Sequence, residues 1–199
     1  MIANTNNDNN NNKAYLYTSP GLQTIVWWNW YNWMSKINNG GSYWFYPQGK
    51  TITYAKIKGG PLAPSINGIV YFVDVPNGTE VCVNINGLPP YQAGDNGNPI
   101  GPHGFHLHEN GTCQIGDPTE PFQAAGGHWN PDNQPHGNHA GDFPVIFSNN
   151  GVARMCFFTN RFKPWNVIGK SVIIHENPDD YRSQPTGNAG RRLACGVIK

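Results

Sequence analysis

The sequence predicts an all-β protein whose antiparallel strands form a sandwich or a barrel. Its 199 residues include 24 glycines and 17 prolines, so turns are frequent, and long apolar periods are few. From about residue 51 onward, short runs rich in β-branched and aromatic residues alternate with Gly, Pro and Asn turns. Regularly spaced short strands without a helical period are typical of these two architectures.

Seven segments of this part of the chain fit β-strands. In chain order they are TITYAKIK, INGIVYFVDV, EVCVNING, GFHLHE, GVARMCFF, GKSVIIHE and LACGVIK. The sequence Pro76-Asn77-Gly78 is a turn signal between the second and the third. The strand-forming region therefore begins at about residue 51 and continues to the last residue of the sequence.

Residues 1–50 have a different composition and form an N-terminal extension, first Asn-rich and then Trp-rich. Residues 1–13 have little to bury and are expected to be disordered. On a helix, residues 24–37 place polar side chains on one narrow face and mostly aromatic ones on the rest. Because Trp and Tyr suit interfaces, we expect this segment to pack on its own domain or on a sister subunit, as in a homodimer. Association with a membrane surface or a coat is the alternative.

Charge and hydropathy exclude several classes of protein. The formal net charge is +1, only 13% of the residues are charged, and no Lys/Arg run is present, so nucleic-acid binding is not expected. No apolar stretch approaches the length of a transmembrane helix. The N-terminus lacks the charged and apolar regions of a secretory signal, which favours the cytoplasm unless a signal has been removed. The cell or spore surface is the other expected location.

Four cysteines are present, Cys82, Cys113, Cys156 and Cys195. Since none of them belongs to a CxxC pair, a thiolate zinc finger or a thioredoxin-like motif is not expected. Four cysteines allow three complete pairings, and their spacing alone does not choose among these.

All seven histidines lie between residues 103 and 175, a clustering that packing alone does not explain. His106 and His108 are two residues apart in a strand pattern, so both imidazoles share one face and can grip one metal ion. Taken alone, this pair fits two solvent-facing histidines as well. His175 follows an apolar strand and can return another imidazole to the same site, and Asp179 is placed to orient metal-bound histidines.

A second group of candidate ligands lies in residues 126–144, a segment made almost wholly of Gly, Pro, Asn and His. This segment has no apolar periodicity, so a bound metal is a good physical reason for it to be ordered. Three imidazoles and one carboxylate make a complete set for zinc, namely His128, His136, His139 and Asp142. Imidazole also suits copper. The alternative is a flexible loop that contains histidines by chance.

Several of these strings resemble motifs of the copper/zinc superoxide dismutases. The matching strings are GFHLHE, GGHWNP, HAGDFP, VIIHENPDD and TGNAGRRLACGVI. The likeness covers roughly residues 51–199, weakly at first and strongly from residue 101. It implies a domain over residues 51–199 with a Greek-key antiparallel sandwich or barrel of about eight strands and long metal-binding loops.

The resemblance assigns a metal to each candidate ligand. It implies copper bound by His106, His108, His128 and His175. It implies zinc bound by His128, His136, His139 and Asp142. His128 would therefore bridge the two metals, and the short spacing from His136 to His139 resembles the short zinc loop of some bacterial members.

The resemblance also assigns roles to residues that bind no metal. Asp179 would link His106 to His136 through hydrogen bonds, and His103 matches a structural histidine. Arg192, rather than its neighbour Arg191, matches the arginine that guides the anionic substrate. The segment 180–186 lacks the charged residues of the animal enzymes' entry channel, which implies weaker steering.

A disulfide between Cys113 and Cys195 is the pairing that the family resemblance implies. Cys82 and Cys156 would then stay reduced in their strands.

The implied activity is the disproportionation of superoxide to dioxygen and hydrogen peroxide, an antioxidant reaction. Copper would carry the electron, Arg192 would dock the anion, and His128 would supply part of the protons. The alternative is a non-catalytic copper-binding or storage protein, or a structural coat protein, that keeps the same fold. A zinc hydrolase is disfavoured because no Asp or Glu is well placed as a general base beside an open zinc.

Overall fold

The computed structural model describes residues 51–94 and 97–199. The predictions made for the N-terminal extension, including the disorder of residues 1–13 and the packing of residues 24–37, lie outside the described residues. Within those residues, no helix has both the length and the apolar character needed to span a bilayer.

All seven predicted segments are strands. They are β1 (Ile52–Gly59), β2 (Asn67–Val75), β3 (Gly78–Asn86), β4 (Phe105–His108), β5 (Ala153–Thr159), β6 (Ser171–His175) and β7 (Arg192–Val197). Two short 3₁₀ helices, Gln123–Ala125 and Pro164–Val167, lie in the connections. The all-β prediction is therefore confirmed, with seven strands in the described part of the chain where the resemblance implied about eight.

The seven strands form one curled antiparallel sheet in the order β4-β6-β7-β1-β2-β3-β5. β1, β2 and β3 follow one another as hairpins, whereas the connection from β4 to β5 joins the two edges of the sheet. This long connection contains residues 126–144, so the candidate zinc ligands lie where the chain crosses from one edge strand to the other.

The core fills the concave side of the sheet and ties its two edges together. Phe105 on β4 packs against Phe143, with ring centroids 5.3 Å apart, and Phe143 packs against Phe157 on β5 at 5.1 Å. Phe143 and Trp129 both belong to the ligand-rich segment, and both pack in or against the core. Although this segment has no apolar periodicity, two aromatic side chains near its ends therefore anchor it.

The structure pairs all four cysteines of the chain, and Cys113 is joined to Cys195 as the resemblance implies. The expectation that Cys82 and Cys156 stay reduced was wrong, because the structure joins them as well. They are direct partners across β3 and β5, with Cα atoms 4.2 Å apart. Side chains opposite each other at such a separation in an antiparallel pair lie on the same face and approach closely.

We expect peptide mapping under non-reducing conditions to find both of these bridges. The Cys113–Cys195 bridge spans 82 residues and connects the loop after β4 to β7, so it restricts the unfolded chain strongly. Its removal in a Cys113→Ser/Cys195→Ser variant is expected to lower the free energy of unfolding by roughly 3–4 kcal/mol in chemical denaturation. A map in which Cys113 pairs with Cys82 or Cys156 would contradict this pattern.

Candidate metal centre

All seven residues predicted as ligands meet at one end of the sheet, in two groups that share His128. In each group, the candidate ligand atoms all lie within 4.8 Å of one another. The first group is His106, His108, His128 and His175. The second group is His128, His136, His139 and Asp142. All six histidines are buried and Asp142 is half-buried, so both groups are largely screened from water.

The geometry of β4 and β6 positions the imidazoles of His106, His108 and His175. Alternation along β4 places Phe105 and Leu107 in the core and turns His106 and His108 to the opposite face. β6 pairs with β4 and ends at His175, where the register with β7 shifts. The imidazole of His175 thereby reaches that of His108, with their Nε2 atoms 3.3 Å apart.

The ligand-rich segment, residues 126–144, runs beside β4 and pairs with it on the side opposite β6. The amide of Trp129 donates to the carbonyl of Leu107 at 2.8 Å, and the amide of Leu107 donates to the carbonyl of Gly141 at 2.9 Å. Bridges of this kind place His128 opposite His108 and Asp142 opposite His106. Backbone hydrogen bonds to β4 therefore bring both ends of the loop to the histidines of the strand.

Four ring nitrogens in this cluster are buried without a hydrogen-bond partner. They are Nδ1 of His106, Nε2 of His128, Nδ1 of His136 and Nδ1 of His139. A buried polar atom without a partner costs free energy, and such atoms in a native structure need an explanation. A metal ion accepts their lone pairs, and the two donor sets, four imidazoles and three imidazoles with a carboxylate, suit copper and zinc respectively.

Asp179 connects the two groups from behind. It is buried, its Oδ2 accepts from Nε2 of His106 at 2.7 Å, and its Oδ1 accepts from Nε2 of His136 at 2.9 Å. Each Nε2 carries the proton and is the donor in these bonds. Each Nδ1 is therefore unprotonated and has a free electron pair, which is the form of imidazole nitrogen that binds a metal. One carboxylate therefore orients one histidine of each group.

Gly187 makes this link possible, and sequence reasoning missed it. Its φ is +64°, and a Cβ atom there would collide with the carboxylate of Asp179 and with Nε2 of His136. Only a residue without a side chain fits at this close approach. The signal available in the sequence was the glycine itself, within the TGNAG string.

His108 and His175 use their second ring nitrogen in the same way. Nδ1 of His108 bonds the carbonyl of Gly126 at 3.0 Å, and Nδ1 of His175 bonds the carbonyl of Gly190 at 3.2 Å. His103 belongs to neither group. It is buried, and its Nδ1 and Nε2 contact the carbonyls of His175 and Pro89.

Burial keeps the imidazoles of His106, His108 and His175 neutral. Desolvation, followed by the neighbouring His128 and His175, holds the pKa of His106 well below its usual value. Desolvation, again followed by neighbouring histidines, also lowers the pKa of His108, and desolvation with His128 lowers that of His175 to about 3. For Asp142, burial is the largest single contribution and acts to raise the pKa. The hydrogen bonds with His128 and with the amide of His139, together with the charges of His136 and His128, outweigh it, and the pKa falls to about 2. At neutral pH these groups are therefore in the protonation states that metal binding requires.

The two adjacent arginines have different surroundings. Arg192 is half-buried, and its guanidinium donates to the carbonyls of Phe122 at 2.7 Å and Gly126 at 2.8 Å. The carbonyl of Gly126 is also the partner of His108, so one backbone oxygen holds both side chains. Arg191 is exposed and forms a two-pronged ion pair with Glu176.

Comparison of the sequence with known proteins points to one family. The family model described as copper/zinc superoxide dismutase matches residues 66–198. A copper–zinc superoxide dismutase from Deinococcus radiodurans is 38% identical over 151 residues, which cover 67% of this chain and 78% of that protein. One from Aquifex aeolicus is 36% identical over 147 residues, covering 66% of this chain and 78% of that protein.

Solved structures show the same likeness. The copper/zinc superoxide dismutase from Brucella abortus superposes with a TM-score of 0.61 at 31% sequence identity, over 75% of this chain and all of that one. A double mutant of a superoxide-dismutase-like protein from Bacillus subtilis superposes with a TM-score of 0.57 at 27% identity, over 72% of this chain and 95% of that one.

These similarities favour an enzyme over a copper store or a coat component. The curated relatives from Deinococcus and Aquifex are named as superoxide dismutases, and the two histidine-rich groups supply suitable donor sets for both metals. The chain belongs to the copper/zinc superoxide dismutase family, whose copper- and zinc-dependent reaction converts superoxide to dioxygen and hydrogen peroxide.

Proposed function

We propose that the four-histidine group holds the copper and that the mixed group holds the zinc, with His128 shared between them. The observation that carries this assignment is the set of buried ring nitrogens without partners, which includes at least one atom of each group. The bonds of Asp179 support it, because they leave the Nδ1 atoms of His106 and His136 free for a metal.

Copper supplies the one-electron redox chemistry that dismutation needs and that zinc lacks. The chain's own contribution is to hold the ligands rigidly. Three of the copper-side imidazoles project from, or lie beside, strands whose other face is in the core, and each has a fixed second hydrogen bond. A site held in this way needs little rearrangement when charge moves.

Arg192 is the proposed docking group for the superoxide anion. Two backbone carbonyls fix its guanidinium, and its charge is close enough to contribute to the lowered pKa values of His108 and His175. A fixed, half-buried cation attracts an anion more strongly than an exposed one, because water screens it less. Arg191 is a poorer candidate since Glu176 already neutralises it.

His128 is the proposed proton donor. Its Nδ1 lies 2.9 Å from Oδ1 of Asp142 on the zinc side, whereas its Nε2 has no partner. When Nε2 is not engaged by copper it can therefore hold a proton and pass it on, while Nδ1 keeps the ring in place. These contacts support Arg192 and His128 as the two catalytic residues of the chain.

We further propose that residues 1–50 are an extension outside the dismutase domain of residues 51–199 and that the chain forms a homodimer. The family match begins at residue 66, which supports a boundary before that point. Light scattering on the whole chain and on a variant without residues 1–50 tests the homodimer, and chemical denaturation of that variant tests the domain boundary. A dimer that becomes monomeric on deletion would assign pairing to the Trp-rich segment, and an unfolded deletion variant would overturn the domain boundary.

Copper loading tests the proposed function. Superoxide removal by the purified protein is expected to be low with zinc alone and to rise in proportion to bound copper, to at most one copper per chain. The measurement combines metal analysis with a superoxide-removal assay before and after copper addition. A copper-loaded protein that removes superoxide no faster than the zinc-only protein would overturn the proposal.

A further inference from the structure

Residues 134–142, the zinc-side loop, are held by hydrogen bonds rather than by apolar packing, and within the loop Asp142 accepts from the amides of Gly137 and His139. Residues 134–142 contain one apolar side chain, that of Ala140, besides a proline. The backbone at Gly137 has a φ of +89°, a conformation that a chain without restraints occupies only part of the time. His136 and His139 nevertheless present their Nδ1 atoms to the carboxylate of Asp142, at 3.3 Å and 3.2 Å.

Two side chains from outside the loop grip this stretch from two different elements. Arg161, just after β5, donates through Nη1 to the carbonyl of Asn138 at 2.9 Å and through Nη2 to its side-chain Oδ1. Gln184, in the segment before β7, accepts from the amide of His136 at 2.8 Å and donates to its carbonyl at 3.2 Å. Each grip uses two hydrogen bonds, so each fixes a direction as well as a distance.

The backbone next to Arg161 and the backbone next to Gln184 are themselves held by contacts. The neighbour of Arg161 is Phe162, which is buried against Phe72 and Phe143 and whose carbonyl accepts from Thr79 at 2.7 Å. Near Gln184, the amide of Ser183 is held by Asp180 at 2.7 Å. The gripped segment is therefore tied to the core on one side and to an ordered loop on the other.

We propose that Arg161 and Gln184 are positioning residues for the zinc half-site and that together they hold residues 136–139 in the ligand-presenting shape before the metal binds. This inference rests on the proposed assignment of zinc to His128, His136, His139 and Asp142. Neither residue touches a candidate ligand atom. Their effect is transmitted through the backbone of His136 and through Asn138.

The direction in which zinc affinity changes on substitution distinguishes a clamp, meaning a pair of side chains that fixes the loop backbone, from an effect of charge alone. Arg161 carries a positive charge near a cation site, so its removal by Arg161→Ala would strengthen zinc binding if only charge mattered. A clamp predicts the reverse, because the loop must then be ordered at the moment of binding. Loss of such outer contacts typically weakens metal binding about 10- to 100-fold, and we expect about tenfold for Arg161→Ala and for Gln184→Ala.

The experiment uses the full chain and two readouts that do not depend on activity. Zinc and copper affinities are measured by chelator competition, and amide hydrogen exchange of residues 134–142 is measured in the metal-free protein. Both variants are expected to exchange faster there and to keep copper affinity within about twofold, far below the tenfold effect on zinc. Arg161→Lys keeps the charge but cannot bridge both oxygens of Asn138, so it should restore zinc affinity only in part.

Arg154→Ala is the matched control. Arg154 is also an exposed arginine, on β5 itself, but it contacts the side chain of Asn84 across the sheet, so its removal should change neither readout. Unchanged or tighter zinc binding in Arg161→Ala, with unchanged exchange, would overturn the clamp. An equal loss of zinc and copper would also overturn it, as a general structural effect. If the wild-type chain bound no zinc, the ligand assignment would fail instead, and the exchange data would still test the clamp.

Discussion

Asp142→Ala is expected to abolish zinc binding while part of the copper stays bound. Asp142 is the one carboxylate among the zinc-side candidates in the described residues, and its Oδ2 also accepts from the amides of Gly137 at 2.8 Å and His139 at 3.0 Å. The substitution therefore removes a ligand and releases the backbone that carries another. The copper side keeps all four imidazoles, and only the far side of His128 changes.

Metal analysis after dialysis measures this outcome, and amide hydrogen exchange reports the expected loosening of residues 126–144. His136→Ala should behave in the same way, because its ring belongs to the zinc group alone. If either variant lost copper and zinc to the same extent, the two half-sites would not be separable and the division of ligands would be wrong.

Arg192→Ala is expected to leave both metals bound and to slow superoxide removal about tenfold or more, which corresponds to about 1.4 kcal/mol of lost docking energy. The guanidinium is not a metal ligand, and its two bonds go to backbone carbonyls. The loss should appear in the rate per bound copper and not in metal content.

Salt provides a second test of Arg192. Added salt screens the attraction between its charge and an anion, so the wild-type rate should fall with ionic strength and the Arg192→Ala rate should fall much less. Arg191→Ala is the internal control and should matter little, since Arg191 is exposed and paired with Glu176. If Arg192→Ala were as fast as an active wild type at every ionic strength, the docking assignment would be wrong.

The strands were predictable because their cause is local. Alternation along β2 buries Val70 and Phe72, and the same alternation along β4 separates Phe105 and Leu107 from the two histidines. Ligand types and spacings are also local features, so the pair His106 and His108 and the set of His128, His136, His139 and Asp142 were predictable from the residues. The sharing of His128 between two metals came from the family resemblance.

Contacts set by sheet register or by distant loops were not predictable in the same way. Cys82 and Cys156 are 74 residues apart, and only the pairing of β3 with β5 brings them face to face. Gly187 matters because Asp179 and His136 converge where its side chain would be. Arg161 and Gln184 look like ordinary polar surface residues until the loop they hold is seen.

An anomalous-scattering crystal structure of the copper- and zinc-loaded protein tests the central claim most directly, since it locates each metal by element. We expect two anomalous peaks per chain. The peak present at a wavelength between the copper and zinc absorption edges should lie among His106, His108, His128 and His175. The peak that appears only above the zinc absorption edge should lie among His128, His136, His139 and Asp142. A copper signal in the second group, or His128 contacting only one metal while both are bound, would contradict the account.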